Sequence, residues 1–376
     1  MSVRKRILLI PHCSFRNYLR IREFELARVL STKYQVYYLT WFLHQSNFFS
    51  KAMTQIKNLF PNIYITVVDG VNILHAPKAQ IKTKLSLLLN EWVLNRIIKQ
   101  FNINIIINAS QFYCPVNNKK LKVGYLYDLV DDHFMGLHTE AEYVKREIQK
   151  ADKITTITKE LQSKIAHICS RHSIVIPNGV WLEEIRTTDP YMLNELKQRY
   201  NITNEFIITY IGNHQSSWSN LSFIIRSFSI FKKENQNSKL FIVGPGEEIP
   251  KLKKENRDKD IIFSGPIEAS EIKYFFQLSD IGIIPFKLFS YTHNALPIKV
   301  IEYSAARKII VASKLRSVQN LKFPNIVFSE LDEAIWARKM NEAKQFLWNN
   351  DWDQHIMEYD WQRLGERLIS EIETLF

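Results

Sequence analysis

Cysteine is nearly absent: Cys13, Cys114 and Cys169 are the whole complement, too far apart for a metal knuckle or a CxxC redox pair. So sparse and odd a count speaks against a disulfide framework and fits a reducing compartment. No apolar run approaches the ~18 residues that a membrane span needs. The start of the chain is basic through Arg6, but the apolar run behind it, residues 7–10, is broken by Pro11 and His12. That run is too short for the core of an export signal, so a cytoplasmic protein not integral to the membrane is expected. Internal repeats and low-complexity tracts are missing as well, which sets aside solenoid and disordered classes.

Glycine is scarce too, at ten residues in 376, so its placement carries information. Gly212, Gly244, Gly246 and Gly265 each fall just after a predicted strand, where a glycine lets the backbone turn tightly and come close to a ligand. Ordinary strand-to-helix turns use glycine in the same way, and both readings stay open for each position taken alone. Gly282 lies inside a strand pattern and reads as a packing position.

What is present is an ordinary folded composition, 46% hydrophobic and 23% charged, long enough for two domains that each bury a core. The net charge of +12 is unevenly spread: residues 1–178 hold 25 Lys and Arg against 12 Asp and Glu, and the remainder 25 against 26. Such asymmetry suggests that the first half meets something anionic: nucleic acid, lipid headgroups or a phosphorylated acceptor. Solvated lysines that serve only solubility are the plain alternative.

Strand patterns at residues 6–10, 35–40, 63–68, 103–108, 123–127 and 153–157 alternate with helical patterns at 19–30, 81–99, 141–150 and 159–167. The pattern pauses over 173–189. It restarts with strands at 206–211, 240–243, 261–263, 281–285 and 309–312 and helices at 221–231, 270–278 and 297–306. Continuous apolar strands alternating with helices predict parallel sheets covered on both faces. Two such units in tandem predict a ligand cleft near the carboxyl ends of their strands. An amphipathic helical tail with Trp352, Tyr359, Trp361, Leu364 and Leu368 is predicted from residue 351 onward.

The sharpest chemistry lies in IGIIPFKLFSYTHNALPIKVIEYSAARKIIVAS, which begins at Ile281. A strand ends at Pro285, a polar and aromatic loop follows, and Pro297 opens a helix, a favoured place for proline. Lys299 and Glu302 then stand i, i+3 near the helix start. Free amides and the helix dipole attract phosphate there, a lysine adds a full charge, and a carboxylate can accept two ribose hydroxyls. A plain surface Lys–Glu pair is the alternative reading.

This segment resembles the donor-binding signature of GT-B glycosyltransferases, especially family-4-like bacterial polysaccharide enzymes, with Pro297, Lys299, Glu302 and Tyr303 at matching positions. IVIPNGVWLEEI, with Pro177, Asn178 and Gly179, is similar to that family's entry into the second domain. FIVGPG and FSGP resemble its strand-end turns, and YLYDLVDDH resembles the acceptor-side loop of xanthan-type glucuronosyltransferases and teichuronic acid transferases. There are departures. Asn294 stands where the family often has a first glutamate, His12 to Arg16 replace a glycine-rich loop, and Asn213, His214 and Gln215 replace basic residues after Gly212.

The resemblance implies an α/β protein of GT-B type: two Rossmann-like doubly wound domains with a cleft between them. Their expected limits are an acceptor-binding, membrane-facing domain over 1–178, a nucleotide-sugar-binding domain over 179–350, and a helical tail over 351–376 that packs back on the first domain. It implies a donor site of Gly212, Gly244, Ser264, Gly265, Tyr291, Asn294, Lys299 and Glu302 for a UDP- or GDP-linked sugar, with no resident cofactor or metal.

Asp128, Asp131, Asp132 and His133 form the most charged cluster of the basic half. Asp131 or Asp132 is expected to deprotonate an acceptor hydroxyl, because burial and like-charge neighbours raise a carboxylate toward a useful pKa. Helix capping and a divalent metal site are the rival readings. Arg16, Arg20, Arg22 and His133 are candidates for an acceptor phosphate. Residues 47–60 and 81–99 combine apolar faces with lysines, as an interfacial helix on anionic lipid does. For 81–99 the core face of a sheet-covering helix is the preferred reading.

The function expected is transfer of a sugar to a lipid-linked or polysaccharide acceptor, by a peripheral protein on the inner face of the plasma membrane. An epimerase or phosphorylase on the same scaffold is the enzymatic alternative. Nucleic-acid binding is disfavoured, because none of the familiar modules is present.

Overall fold

Ile7 to Ile10 are wholly buried, as continuous apolar strands in a covered parallel sheet must be. They end β1 (Arg6–Ile10) in the computed structural model, which describes residues 4–12, 21–42, 63–77, 84–111, 121–135 and 138–375. The chain divides into two units: Met1–Ile176 with Trp361–Phe376, and Pro177–Asp360. The expected tail is shared between them. Asp353 pairs with Arg186 of the second unit at 2.8 Å, whereas the Trp361–Glu373 helix belongs to the first.

In the first unit β1 is followed by β2 (Gln35–Phe42), β3 (Tyr64–Val68), β4 (Val71–Pro77), β5 (Ile105–Asn108), β6 (Gly124–Leu129), β7 (Lys153–Thr156) and β8 (Ile174–Val175). Their spatial order is β3-β4-β2-β1-β5-β6-β7-β8. Every pair is parallel except β3–β4, an antiparallel hairpin at the edge. The hairpin departs from the wholly parallel expectation: Asp69 and Gly70, both at positive φ, make the two-residue turn that reverses the chain. Helices Arg22–Ser31, Lys84–Gln100, His138–Lys150 and Lys159–Cys169 join the strands. The C-terminal helix lies so close to the Arg22–Ser31 helix that a Cβ on Gly365 would stand 1.8 Å from Val29 Cγ1.

The Lys84–Gln100 helix has two characters. Val93, Leu94, Ile97 and Ile98 are buried, as the core reading requires, while Leu88 and Trp92 stand out in solvent at 61% and 42% exposure. The Arg96 guanidinium lies 5.9 Å from the Trp92 ring. The other candidate membrane segment, 47–60, falls outside the described residues. No helix among the described residues is long and apolar enough to cross a membrane.

The second unit is wholly parallel: β9 (Phe206–Ile211), β10 (Ser238–Val243), β11 (Ile261–Gly265), β12 (Ile281–Ile284), β13 (Ile309–Ser313) and β14 (Ile326–Ser329), in the order β11-β10-β9-β12-β13-β14. Phe223, Phe228, Phe231 and Trp336 fill one side of its core. In each sheet the first strand is central, and the chain leaves it first to one side and later to the other. Such a switch point is where an open α/β sheet binds ligand, at the strands' carboxyl ends.

Candidate functional site

At the carboxyl end of the second sheet, the loops after β9, β10, β11 and β12 are tied to one another. Gly244 has φ +114°, and a Cβ there would lie 2.0 Å from the Gly212 carbonyl oxygen, so only glycine allows β9 and β10 to close this tightly. The Gly244 amide donates to the Gly265 carbonyl at 3.1 Å and to Ser264 Oγ at 3.2 Å, which joins β10 to β11. Across the other flank, Lys287 Nζ donates to the Ser216 carbonyl at 2.7 Å and Tyr291 Oη to that of Ser217 at 2.9 Å. Tyr291, expected at the donor, thus braces the loop after β9. Its ring also stacks on Phe289 at 5.8 Å.

Lys299 and Glu302 ride on the Ile298–Ala305 helix, for which Pro297 is the N-cap. Lys299 Nζ lies 2.6 Å from Glu302 Oε2 and 5.4 Å from the centroid of the Phe276 ring. The two are an ion pair, although their orientation forms no hydrogen bond at Glu302 Oε2. Tyr303, the next residue, is fully buried and fixes the helix on the sheet: its hydroxyl donates to the Thr209 carbonyl at 2.8 Å. Asn294 is buried just before this helix.

His214 escaped sequence reasoning, which registered only that basic residues were missing after Gly212. Its Nε2–H donates to the Val243 carbonyl at 3.1 Å, and Nδ1, the remaining acceptor, is buried without a partner. Burial pushes the imidazole down to about 4, so it is neutral at physiological pH.

The acceptor-side candidates follow β6. Asp128, at its end, accepts Nε and Nη2 of Arg22 at 3.0 and 3.1 Å and the Thr155 hydroxyl at 2.7 Å, all buried. Arg22 is therefore committed inside the unit and not presented to a phosphate. Asp132 is likewise held, with Lys164 Nζ at 2.6 and 2.7 Å from its two oxygens. His133 lies 3.2 Å from Glu140 through Nδ1, and burial pushes it down to about 4. It thus offers an acceptor a neutral hydrogen-bonding group rather than the positive charge expected of a phosphate contact. Arg16 and Arg20 lie outside the described residues.

Asp131 is the member of the cluster still reached by solvent, yet its carboxyl is pushed up to about 6. Desolvation is the main cause; the charges of Glu23 and Asp132 add to it and that of His12 opposes it. A group of three or more His, Cys, Asp or Glu side chains fit to hold a metal ion is not found among the described residues. His12 and Glu23 were also missed. His12 Nδ1 makes a short contact with Glu23 Oε1, and its amide donates to the same oxygen at 3.1 Å.

Residues 205–343 match the family model described as Glycosyl transferases group 1. A stretch of 67 residues is 33% identical to the putative teichuronic acid biosynthesis glycosyltransferase TuaH of Bacillus subtilis strain 168, and covers 18% of this chain and 17% of that protein. The chain therefore matches less than a fifth of this curated relative's length. Solved structures agree over nearly the whole fold. A glycosyltransferase from Rickettsia africae matches 99% of this chain and 98% of its own at TM-score 0.71 and 15% identity. Anabaena HepE, solved with UDP, matches 98% and 100% at 0.70 and 12%. One sheet parallel except at its β3 edge, one wholly parallel, and the agreement with these solved structures over nearly the whole chain give it the GT-B fold, within which residues 205–343 match the glycosyl transferases group 1 model.

Proposed function

We propose that the protein moves a sugar from a UDP- or GDP-linked donor, bound on the second unit, to a hydroxyl of a lipid-linked or polysaccharide acceptor on the first, in building a cell-surface glycan. The observation that carries this reading is the Lys299–Glu302 pair, on a helix that follows the switch-point strand β12 inside the matched family region. Lys299 and the helix amides suit a diphosphate, and the Glu302 carboxylate suits a ribose hydroxyl. HepE, of similar fold, has been solved with UDP and with UDP-glucose, and TuaH is named for teichuronic acid synthesis.

In the proposed reaction Asp131 takes the proton of the acceptor hydroxyl. The acceptor oxygen bonds to the anomeric carbon, and the bond from that carbon to the diphosphate oxygen breaks. The nucleoside diphosphate leaves with the electron pair, its charge met by Lys299. No resident cofactor enters this scheme. The exposed Leu88 and Trp92, beside Arg96 on a basic unit, support a peripheral seat on the anionic inner face of the plasma membrane.

A thermal-shift titration with UDP and GDP tests the donor site. Ligand at ~100 times its dissociation constant should stabilise the fold by about 2.7 kcal/mol. Lys299→Ala should weaken binding at least tenfold, about 1.4 kcal/mol. Equal binding by the variant and the parent would remove this assignment.

A further inference from the structure

Three consecutive carbonyls of the loop after β9 are held from across the switch point. Lys287 Nζ donates to that of Ser216 at 2.7 Å, Tyr291 Oη to that of Ser217 at 2.9 Å, and the Lys287 amide to that of Trp218 at 3.0 Å. All three donors come from the loop after β12, the neighbour of β9 on the side opposite β10. That loop is also fixed on its far flank, where Ser313 Oγ, at the end of β13, donates to the Phe286 carbonyl at 2.8 Å. The ends of three strands therefore set the place of Lys287, at the crevice where an open α/β sheet takes its ligand.

The charge of Lys287 is uncompensated. An ammonium has three donors; the Ser216 carbonyl takes one, and no carboxylate pairs with Lys287 among the described residues. Glu247, an acidic residue bonded to this loop, takes the Ser216 hydroxyl at 2.8 Å instead. The β9 side of the crevice brings no cation of its own: residues 212–220 contain neither Lys nor Arg, and His214 is buried and neutral. It brings the amides of Ser216 and Ser217, which donate to no protein group among the described residues. A half-buried ammonium tethered beside two such amides suits a multiply charged oxyanion.

We propose that Lys287 is a second cation for the donor diphosphate, delivered to the β9 loop from the loop after β12. This rests on the reading of the second unit as the donor site. Lys287 stands near the start of the loop that Pro297 ends, so the ammonium and the start of the helix carrying Lys299 lie at the same, carboxyl end of the sheet. Lys299 is paired with Glu302, which offsets part of its charge, whereas Lys287 keeps its own. A departing nucleoside diphosphate carries several negative charges, and two lysines on one loop and helix meet them better than one paired lysine.

The test is calorimetric titration of the full chain with UDP and GDP, with uridine and guanosine as controls that lack phosphate. Lys287→Gln keeps an N–H for the Ser216 carbonyl and loses the charge. It should weaken binding of the nucleotide roughly tenfold, the size of a lost charge-assisted hydrogen bond, and leave nucleoside binding unchanged. Lys287→Arg keeps the cation and should bind the nucleotide more tightly than Lys287→Gln. Equal losses for nucleotide and nucleoside in Lys287→Gln would mean that the lysine only braces the loop, and would overturn the proposal. If the variant fails to fold, reductive methylation of the parent decides: saturating nucleotide should shield Lys287, and an unshielded Lys287 overturns the proposal. Unaltered nucleotide affinity in Lys287→Gln, beside a loss in Lys299→Ala, overturns this proposal and leaves the donor reading standing. A parent that binds neither UDP nor GDP removes both.

Discussion

Replacing Gly282 with alanine tests whether packing beneath the Ile298–Ala305 helix positions the proposed donor site. Gly282 lies in β12, and an added Cβ would stand 2.5 to 2.6 Å from three carbons of the Tyr303 ring. The ring has little room to yield. It is fully buried, Phe276 meets it edge-on at a centroid distance of 4.8 Å, and its hydroxyl is bonded to the Thr209 carbonyl and lies 2.8 Å from Thr209 Oγ1. Swinging it aside sacrifices two buried hydrogen bonds, each worth about 1 kcal/mol net. Otherwise the helix itself is pushed off the sheet, and overpacking of this kind costs roughly 1–3 kcal/mol. A destabilisation of about 2 kcal/mol is expected either way, a fall in Tm of roughly 4–8 °C for a unit of this size. Because Lys299 and Glu302 share the displaced helix, UDP affinity should fall roughly tenfold, about 1.4 kcal/mol. Scanning calorimetry and a UDP titration read the two effects. A variant that melts and binds like the parent would show that neither ring nor helix is pinned as described.

Other consequences are open to direct measurement. Asp131→Asn should abolish transfer while keeping nucleotide affinity. In the parent, transfer should fall as pH drops through about 6, where the carboxyl takes up its proton. Since the folded state holds that proton more tightly than the unfolded chain, stability falls as pH rises toward 6, and Asp131→Asn should be the more stable protein at neutral pH; a flat pH–rate profile with an active variant would make the cluster structural. Asp128→Asn should be destabilised in chemical denaturation, because it removes the carboxylate that accepts Nε and Nη2 of the buried Arg22. In sedimentation with anionic vesicles the protein should be pulled down at low salt and released as salt screens the attraction, with Trp92→Ala weakening the binding. Equal binding to neutral vesicles would remove the electrostatic reading.

Much of this was written locally in the chain. Period-two and continuous apolar runs announced most strands, and Pro297, Lys299 and Glu302 could be placed at a helix start because that pattern is confined to a few consecutive residues. The hairpin partner β4 was legible but passed over: Asp69-Gly70, both at positive φ, is a two-residue hairpin turn between two apolar runs. The division of the tail was not legible, since one amphipathic pattern spans residues that pack on different units.

Residue order and periodicity alone carry the two doubly wound units and the charge asymmetry. Which acidic residue remains available was decided by tertiary structure. Asp128, Asp131 and Asp132 lie within five positions and look alike in the chain, yet Arg22 claims the first from 106 residues away and Lys164 the third from 32. The pairing of Glu23 with His12, eleven positions apart, arose in the same way. A carboxylate's chemistry depends on the charges and water within a few ångströms of it, and only folding sets those neighbours.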